Sequence, residues 1–122
     1  MNDTVLNFLA KSEENFRLYE FLKNNKSFEN WQIVALFYSA LCYAKAYLYN
    51  KNIPQNSINS HDSIRRWLSS ESAAKLADVL KYYEPLYRDS RDARYTVKKI
   101  SKERISKAFE NYNKVKELLI VN

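Results

Sequence analysis

Nine consecutive residues, Tyr87-Arg88-Asp89-Ser90-Arg91-Asp92-Ala93-Arg94-Tyr95, hold three arginines between two tyrosines. On a helix, side chains three apart are neighbours, so the guanidinium groups of Arg88, Arg91 and Arg94 fall along one side. Asp89 and Asp92 can pair with some of these cations but cannot neutralise all three. Planar cations beside phenol rings suit a phosphate, a carboxylate or a stacked base. The plainer alternative is a solvated helix end whose arginines sit in salt bridges. His61 is the only histidine in the chain. It stands four residues before Arg65, so on a helix the two share a face. At a helix start after a loop, its imidazole is partly exposed and titrates near neutrality, or is simply hydrogen-bonded locally. Tyr38 and Tyr43 can turn their hydroxyls into a polar cavity, or serve as core aromatics with satisfied hydroxyls.

Charge sharpens the first group. The net charge is +6, but residues 88–107 hold eight basic side chains against three acidic ones, while residues 1–30 hold four against five. A basic zone on a neutral body favours an anionic partner, against the alternative of a solvated helix face. The one cysteine, Cys42, permits no disulfide within the chain, and one Cys with one His makes no metal set. No metal or cofactor is implied. The N-terminus lacks the basic start and apolar core of a signal peptide. The longest apolar run, 33–48, is broken by Ser39 and Lys45 and too short to span a bilayer. The expectation is a cytoplasmic protein with no membrane partner.

The elements that position these residues are helices. Apolar residues make up 46% of the chain, glycine is absent, and proline occurs only at 54 and 85. Turn-rich β architecture needs glycine, so the chain reads as a single all-α domain over 1–122. Asn24, Asn25, Asn50 and Asn52 are expected to end helices in the left-handed conformation that glycine would otherwise supply. The first helix is expected over 4–23, capped by Asp3 or Thr4, with Val5, Leu6, Leu9, Phe16 and Leu22 inward. Ser12 could cap a second short helix, breaking the first near 11–12. The stop falls at Asn24-Asn25-Lys26-Ser27.

The second helix is expected over 31–49 behind Asn30 as cap, with Phe28 packed back on the first turn. It is apolar on most sides, Trp31 included, which marks a central helix. A loop over 51–59 leads to Ser60, which caps a third helix with Ile64, Trp67 and Leu68 inward. After a break at Ser69-Ser70-Glu71-Ser72, the fourth helix runs from about 71 to the arginine cluster. Leu76, Val79, Leu80, Tyr83, Leu86 and Tyr87 face inward, and Pro85 kinks the helix or starts a fresh turn. A basic connector over 96–100 precedes a fifth helix over 102–119, capped by Ser101, with Ile105, Phe109, Tyr112, Val115 and Leu119 inward. The architecture is an up-and-down bundle of four to five helices.

Four pieces in this order carry a family resemblance. They are Trp31 with Ala-Leu-Phe-Tyr-Ser-Ala-Leu-Cys at 35–42, Ala46-Tyr47-Leu48, Ser60-His61-Asp62 opening a helix, and the run at 86–95. Together they resemble small HEPN-domain proteins (higher eukaryote and prokaryote nucleotide-binding domains), over about half of the chain. The resemblance implies an all-α bundle, commonly a homodimer. Many members are metal-independent ribonucleases of toxin–antitoxin, CRISPR-linked and anti-phage systems. Those enzymes use an Arg followed a few residues later by a His, with the sites of two subunits facing each other. Here Arg94 or Tyr95 stands where that His would follow Arg88, and Cys42 stands where related sequences often carry His.

Metal-independent RNA cleavage needs a base for the 2′-OH, an acid for the leaving 5′-oxygen and a cation for the phosphorane. The candidates for chemistry are therefore His61, Arg91, Arg94 and Tyr95, although a phenol of pKa about 10 is a poor base at neutral pH. The candidates for holding the ligand are Tyr38, Arg65, Tyr87 and Arg88. A second proton carrier comes from a partner subunit, whose apposition doubles the histidine and the arginines. The alternative is a module that binds nucleotide or RNA without chemistry. A third reading is a subunit that docks a partner protein such as an antitoxin or defence component.

Overall fold

Small residues at Ala35, Ala40, Ala44 and Ala46 let neighbouring backbones close on the helix that carries them, and that helix is the hub of the molecule. The computed structural model describes residues 2–25, 28–70, 74–96 and 99–121, without the side chains of 70 and 74–77. It is an all-helical bundle: α1 (Asp3–Asn24), α2 (Glu29–Asn50), α3 (His61–Ser70), α4 (Ala74–Tyr95) and α5 (Lys102–Leu118), with a 3-10 turn at Gln55–Ser57. There is no strand among the described residues. Helix α2 packs on each of the other four, and α4 also packs on α3 and α5. Ile33, Leu36, Phe37, Ala40, Ala44 and Leu48 of α2 lie in one core with Tyr19, Ile64, Leu68, Val79, Tyr83, Leu86, Tyr112 and Val115. None of the described helices is long and apolar enough to cross a membrane.

Helix α1 runs unbroken through Ser12. Its cap is Asn2, whose Oδ1 accepts from the Val5 N–H at 2.9 Å, rather than Asp3 or Thr4. The buried line is Val5, Ser12 and Tyr19, seven apart, with Leu22 beyond, whereas Leu6 is 48% exposed. Ser12 is spent on a buried network instead of a cap. Its hydroxyl donates to the Ser39 carbonyl at 2.7 Å, and Ser39 Oγ donates to the Ser12 carbonyl at 2.7 Å. The Tyr112 hydroxyl completes the network at 2.8 Å from Ser39 Oγ. With the Ser39 proton on the Ser12 carbonyl, Tyr112 is the donor in that contact. Burial pushes the Tyr112 phenol up to about 12, so it keeps its proton. Ser39→Ala leaves the Tyr112 hydroxyl and the Ser12 carbonyl short of a partner, and is expected to cost about 1–3 kcal/mol in a denaturant titration. A loss near zero would show that the network contributes nothing.

Asn30 does not cap α2; the N-cap is Phe28, which makes no side-chain cap bond. Asn30 ties the start of α2 to the end of α4 and the segment before α5: its Nδ2 donates to the Ala93 carbonyl at 3.3 Å and its Oδ1 accepts from the Ile100 N–H at 3.1 Å. Trp31, expected inside, is 57% exposed. Among the described residues only Asn52 has a positive φ, 67°. Asn25 ends α1 in an extended conformation, so the left-handed role expected of four asparagines falls to one.

The caps expected at Ser60 and Ser101 form. Ser60 Oγ accepts from the Ser63 N–H at 3.1 Å while Ser63 Oγ accepts from the Ser60 N–H at 3.2 Å, a reciprocal box. Ser101 Oγ accepts from the Arg104 N–H at 3.2 Å. Helix α4 continues through Pro85 as one element rather than restarting near 83–84. Trp67, expected inward, is 37% exposed, its indole N–H donating to the Ser57 carbonyl at 3.1 Å. The expected features at Lys26, Ser27, Glu71, Ser72 and 97–98, and the inward side of Leu76, lie outside the described residues.

Candidate functional site

About three turns of α4, from Tyr83 to Arg94, present two layers to the same side. Tyr83 and Tyr87 are four apart and share one face, and Arg94 follows Tyr87 by seven residues, two turns on. The Ser60–Ser63 cap brings the start of α3 against the first of these layers. His61 stacks on Tyr87 with ring centres 3.6 Å apart and planes 12° from parallel. It also lies parallel to Tyr83 at 5.4 Å, and meets Phe37 edge-on at 6.0 Å. The Tyr83 hydroxyl and His61 Nδ1 share a hydrogen bond of 3.2 Å. His61 is thus half-buried in an aromatic cage from α2 and α4, bonded to a residue 22 positions away rather than locally.

Burial in that cage is the main reason the imidazole pKa falls below its usual 6.5. Arg65 and Arg94 push it down further, while Glu84 and Asp62 pull it back up. At neutral pH the ring is neutral, and Nε2 is the nitrogen left to exchange a proton. Tyr83 is wholly buried, which drives its phenol far above the usual 10, so it stays a neutral hydroxyl that orients the imidazole. Because the folded pKa is the lower one, the unfolded chain binds the proton first. This contribution of His61 is full above about pH 6.5 and is lost as pH falls from there through the lowered folded value. Denaturant titrations at about pH 7 and 5 are expected to show wild type losing more stability on acidification than His61→Gln. Equal losses would mean that His61 does not carry the effect.

The arginines lie next to this cage. Arg94 is half-buried. Its Nη1 donates to the Tyr38 hydroxyl at 3.3 Å, and its guanidinium centre lies 5.9 Å from the Tyr38 ring and 5.5 Å from the Tyr95 ring. Its Nε donates to the Ser90 carbonyl at 3.4 Å. Tyr87, Arg91, Asp92, Arg94 and Tyr95 line an open depression of about 640 Å3. Tyr95 is 78% exposed, with its ring available for stacking.

The acidic residues of the cluster do not pair with its arginines. One side chain of α5, Arg104, takes both: its Nη2 donates to Asp89 Oδ1 at 2.6 Å and to Asp92 Oδ2 at 3.1 Å. Those carboxylates in turn hold the Arg104 pKa up. Arg88 and Arg91 are exposed and make no ion pair among the described residues.

Of the residues expected to act, His61, Arg91, Arg94, Tyr95, Tyr38 and Tyr87 gather around the depression and its wall. Arg65 lies beside them but is held by Glu84 at 3.5 Å. Arg88 does not line the depression. Tyr43 is elsewhere, under Lys116, whose Nζ sits 5.3 Å from its ring centre. Tyr83, Phe37, Glu84 and Arg104 were not foreseen as site residues. The spacing of Tyr83 and Tyr87 signals the first. Arg104 acts across two helices, and no local pattern announces it. Among the described residues no three of His, Cys, Asp and Glu come together to hold a metal ion. No family model, curated protein or solved structure matches this chain.

Proposed function

We propose that this chain is a HEPN-like protein that acts on RNA, holding single-stranded RNA or a nucleotide in the depression between Tyr87, Arg91, Arg94 and Tyr95. The observation that carries this reading is the capture of Asp89 and Asp92 by Arg104. Among the described residues no carboxylate pairs with Arg88, Arg91 or Arg94, and the last two lie beside the phenol rings of Tyr87 and Tyr95. Phosphates satisfy the arginines in bidentate fashion and a base stacks on Tyr95. The reading includes a cytoplasmic homodimer, in which two such faces set two His61 and six arginines around one strand. A toxin–antitoxin or anti-phage setting supplies the partner protein.

A second reading, metal-independent cleavage, is favoured by the neutral His61 stacked on the wall of the same depression. His61 Nε2 takes the 2′-OH proton, the 2′-oxygen bonds to phosphorus, and the bond to the 5′-oxygen breaks. The leaving oxygen takes its proton from the imidazolium so formed, which returns His61 to its neutral form and leaves a 2′,3′-cyclic phosphate and a 5′-hydroxyl. Arg91 or Arg94 stabilises the charge on phosphorus.

The test uses a labelled single-stranded RNA in excess chelator. Binding is expected to weaken steeply from about 50 to 200 mM salt. Cleavage, with cyclic phosphate ends, is expected in wild type and absent in His61→Ala. Salt-dependent binding without cleavage confines the protein to the binding role. No binding, or binding indifferent to salt, overturns the reading.

A further inference from the structure

A second depression, of about 510 Å3, opens on the other side of the α3 N-terminus, among Asn56, Ser57, Asn59, Ser60, Arg66 and Trp67. Its residues combine three recognition chemistries. The Trp67 indole offers a partly exposed aromatic face, fixed by the bond from its N–H to the Ser57 carbonyl. Arg66, the preceding residue, is exposed and makes no ion pair among the described residues. Asn56 and Asn59 are exposed, and their side-chain amides make no hydrogen bond among the described residues. Each therefore offers a donor and an acceptor to a base edge. Among the described residues no carboxylate lines the depression, so a cationic ligand finds nothing there to hold it. No aliphatic side chain among the described residues lines it either, so an apolar ligand gains little by entering.

The backbone links this pocket to the site already described. Ser60 lines the pocket, and the next residue is His61.

We propose that this depression is a second nucleotide subsite, which stacks a purine on Trp67, reads its edge with Asn56 and Asn59, and holds its phosphate on Arg66. The proposal deepens the RNA reading and rests on it for the strand that joins the two sites.

Trp67 is one of two tryptophans, so Trp31→Phe leaves it as a lone fluorescent reporter. Adenosine 5′-monophosphate is expected to quench that emission, more strongly than uridine 5′-monophosphate. Arg66→Ala is expected to weaken the monophosphate but not adenosine itself. For a short oligoadenylate, Trp67→Leu is expected to lower affinity by at least about fivefold, with Trp67→Phe retaining most of it. Arg66→Ala, at an exposed position, keeps the test valid if Trp67→Leu fails to fold. The proposal is overturned if adenosine monophosphate leaves Trp67 emission unchanged and neither variant alters oligoadenylate binding. Should Arg91 and Arg94 variants still abolish RNA binding in that case, the subsite alone is wrong. Quenching by the monophosphate in a protein that binds no RNA supports the pocket and rejects the RNA reading. Failure of both rejects both.

Discussion

Replacing Tyr83 with alanine is expected to remove about 3–5 kcal/mol of folding stability, the largest loss from any single change at the site. The ring is fully buried at the junction of α2, α3 and α4, tilted against Phe37 at 5.9 Å and parallel to His61 at 5.4 Å. Truncation leaves a ring-sized void between helices that the surrounding aromatics fill only in part. It also strands His61 Nδ1. Tyr83→Phe separates the two effects, since it keeps the packing and loses only the hydroxyl, for about 1 kcal/mol. Urea titrations should show the midpoint falling in both variants, far more in the alanine one, with an unchanged slope. An alanine variant within about 1 kcal/mol of wild type would mean that the cage does not hold α3.

Reversing charge at Arg91 and Arg94 together is expected to abolish measurable RNA binding at physiological salt. The partial variant, Arg91→Ala with Arg94→Ala, is expected to lower the slope of log affinity against log salt by about 1.4, two single-strand phosphate contacts at about 0.7 each. Arg104→Ala tests the same electrostatics without touching the depression's arginines. Once released, Asp92, which lines the depression, and Asp89 compete with phosphate for the arginines, so affinity should fall although a cation that does not line the depression was removed. Arg17→Glu on α1, outside the depression, makes the same charge change as one reversal and should leave the slope nearly unchanged. An equal effect of Arg17→Glu would reduce the site to general electrostatic attraction.

The helices and the central place of α2 were legible because they follow from features that act locally. Absent glycine, apolar residues all around one helix, and serines at 60 and 101 ahead of apolar stripes all describe a few adjacent residues. What escaped depends on partners distant in sequence. Ser12 looked like a cap because polar residues favour helix ends. It is buried because it falls on the seven-residue line of Val5 and Tyr19, opposite Ser39. Asn30 has the chemistry of a cap, but Ala93 and Ile100 occupy its amide. The arginine cluster could be recognised as cationic, yet whether its aspartates neutralised it turned on Arg104, 12 to 15 residues further on. Hydrophobicity alone places Trp31 and Trp67 inward, although a large amphipathic ring also lies on surfaces.

Helix α3 is the shortest of the five, and it is held mainly by α4 and α2. Its anchors are Ile64 and Leu68, together with the stacked His61. Opening free energies within a domain follow buried apolar contact, so amide protons of α3 should exchange ahead of those of α2, whose neighbours enclose it. Both proposed subsites draw residues from this helix. An occupant that bridges Tyr87 and Trp67 ties α3 to the rest of the bundle, and slowed exchange in ten residues becomes the signature of occupancy.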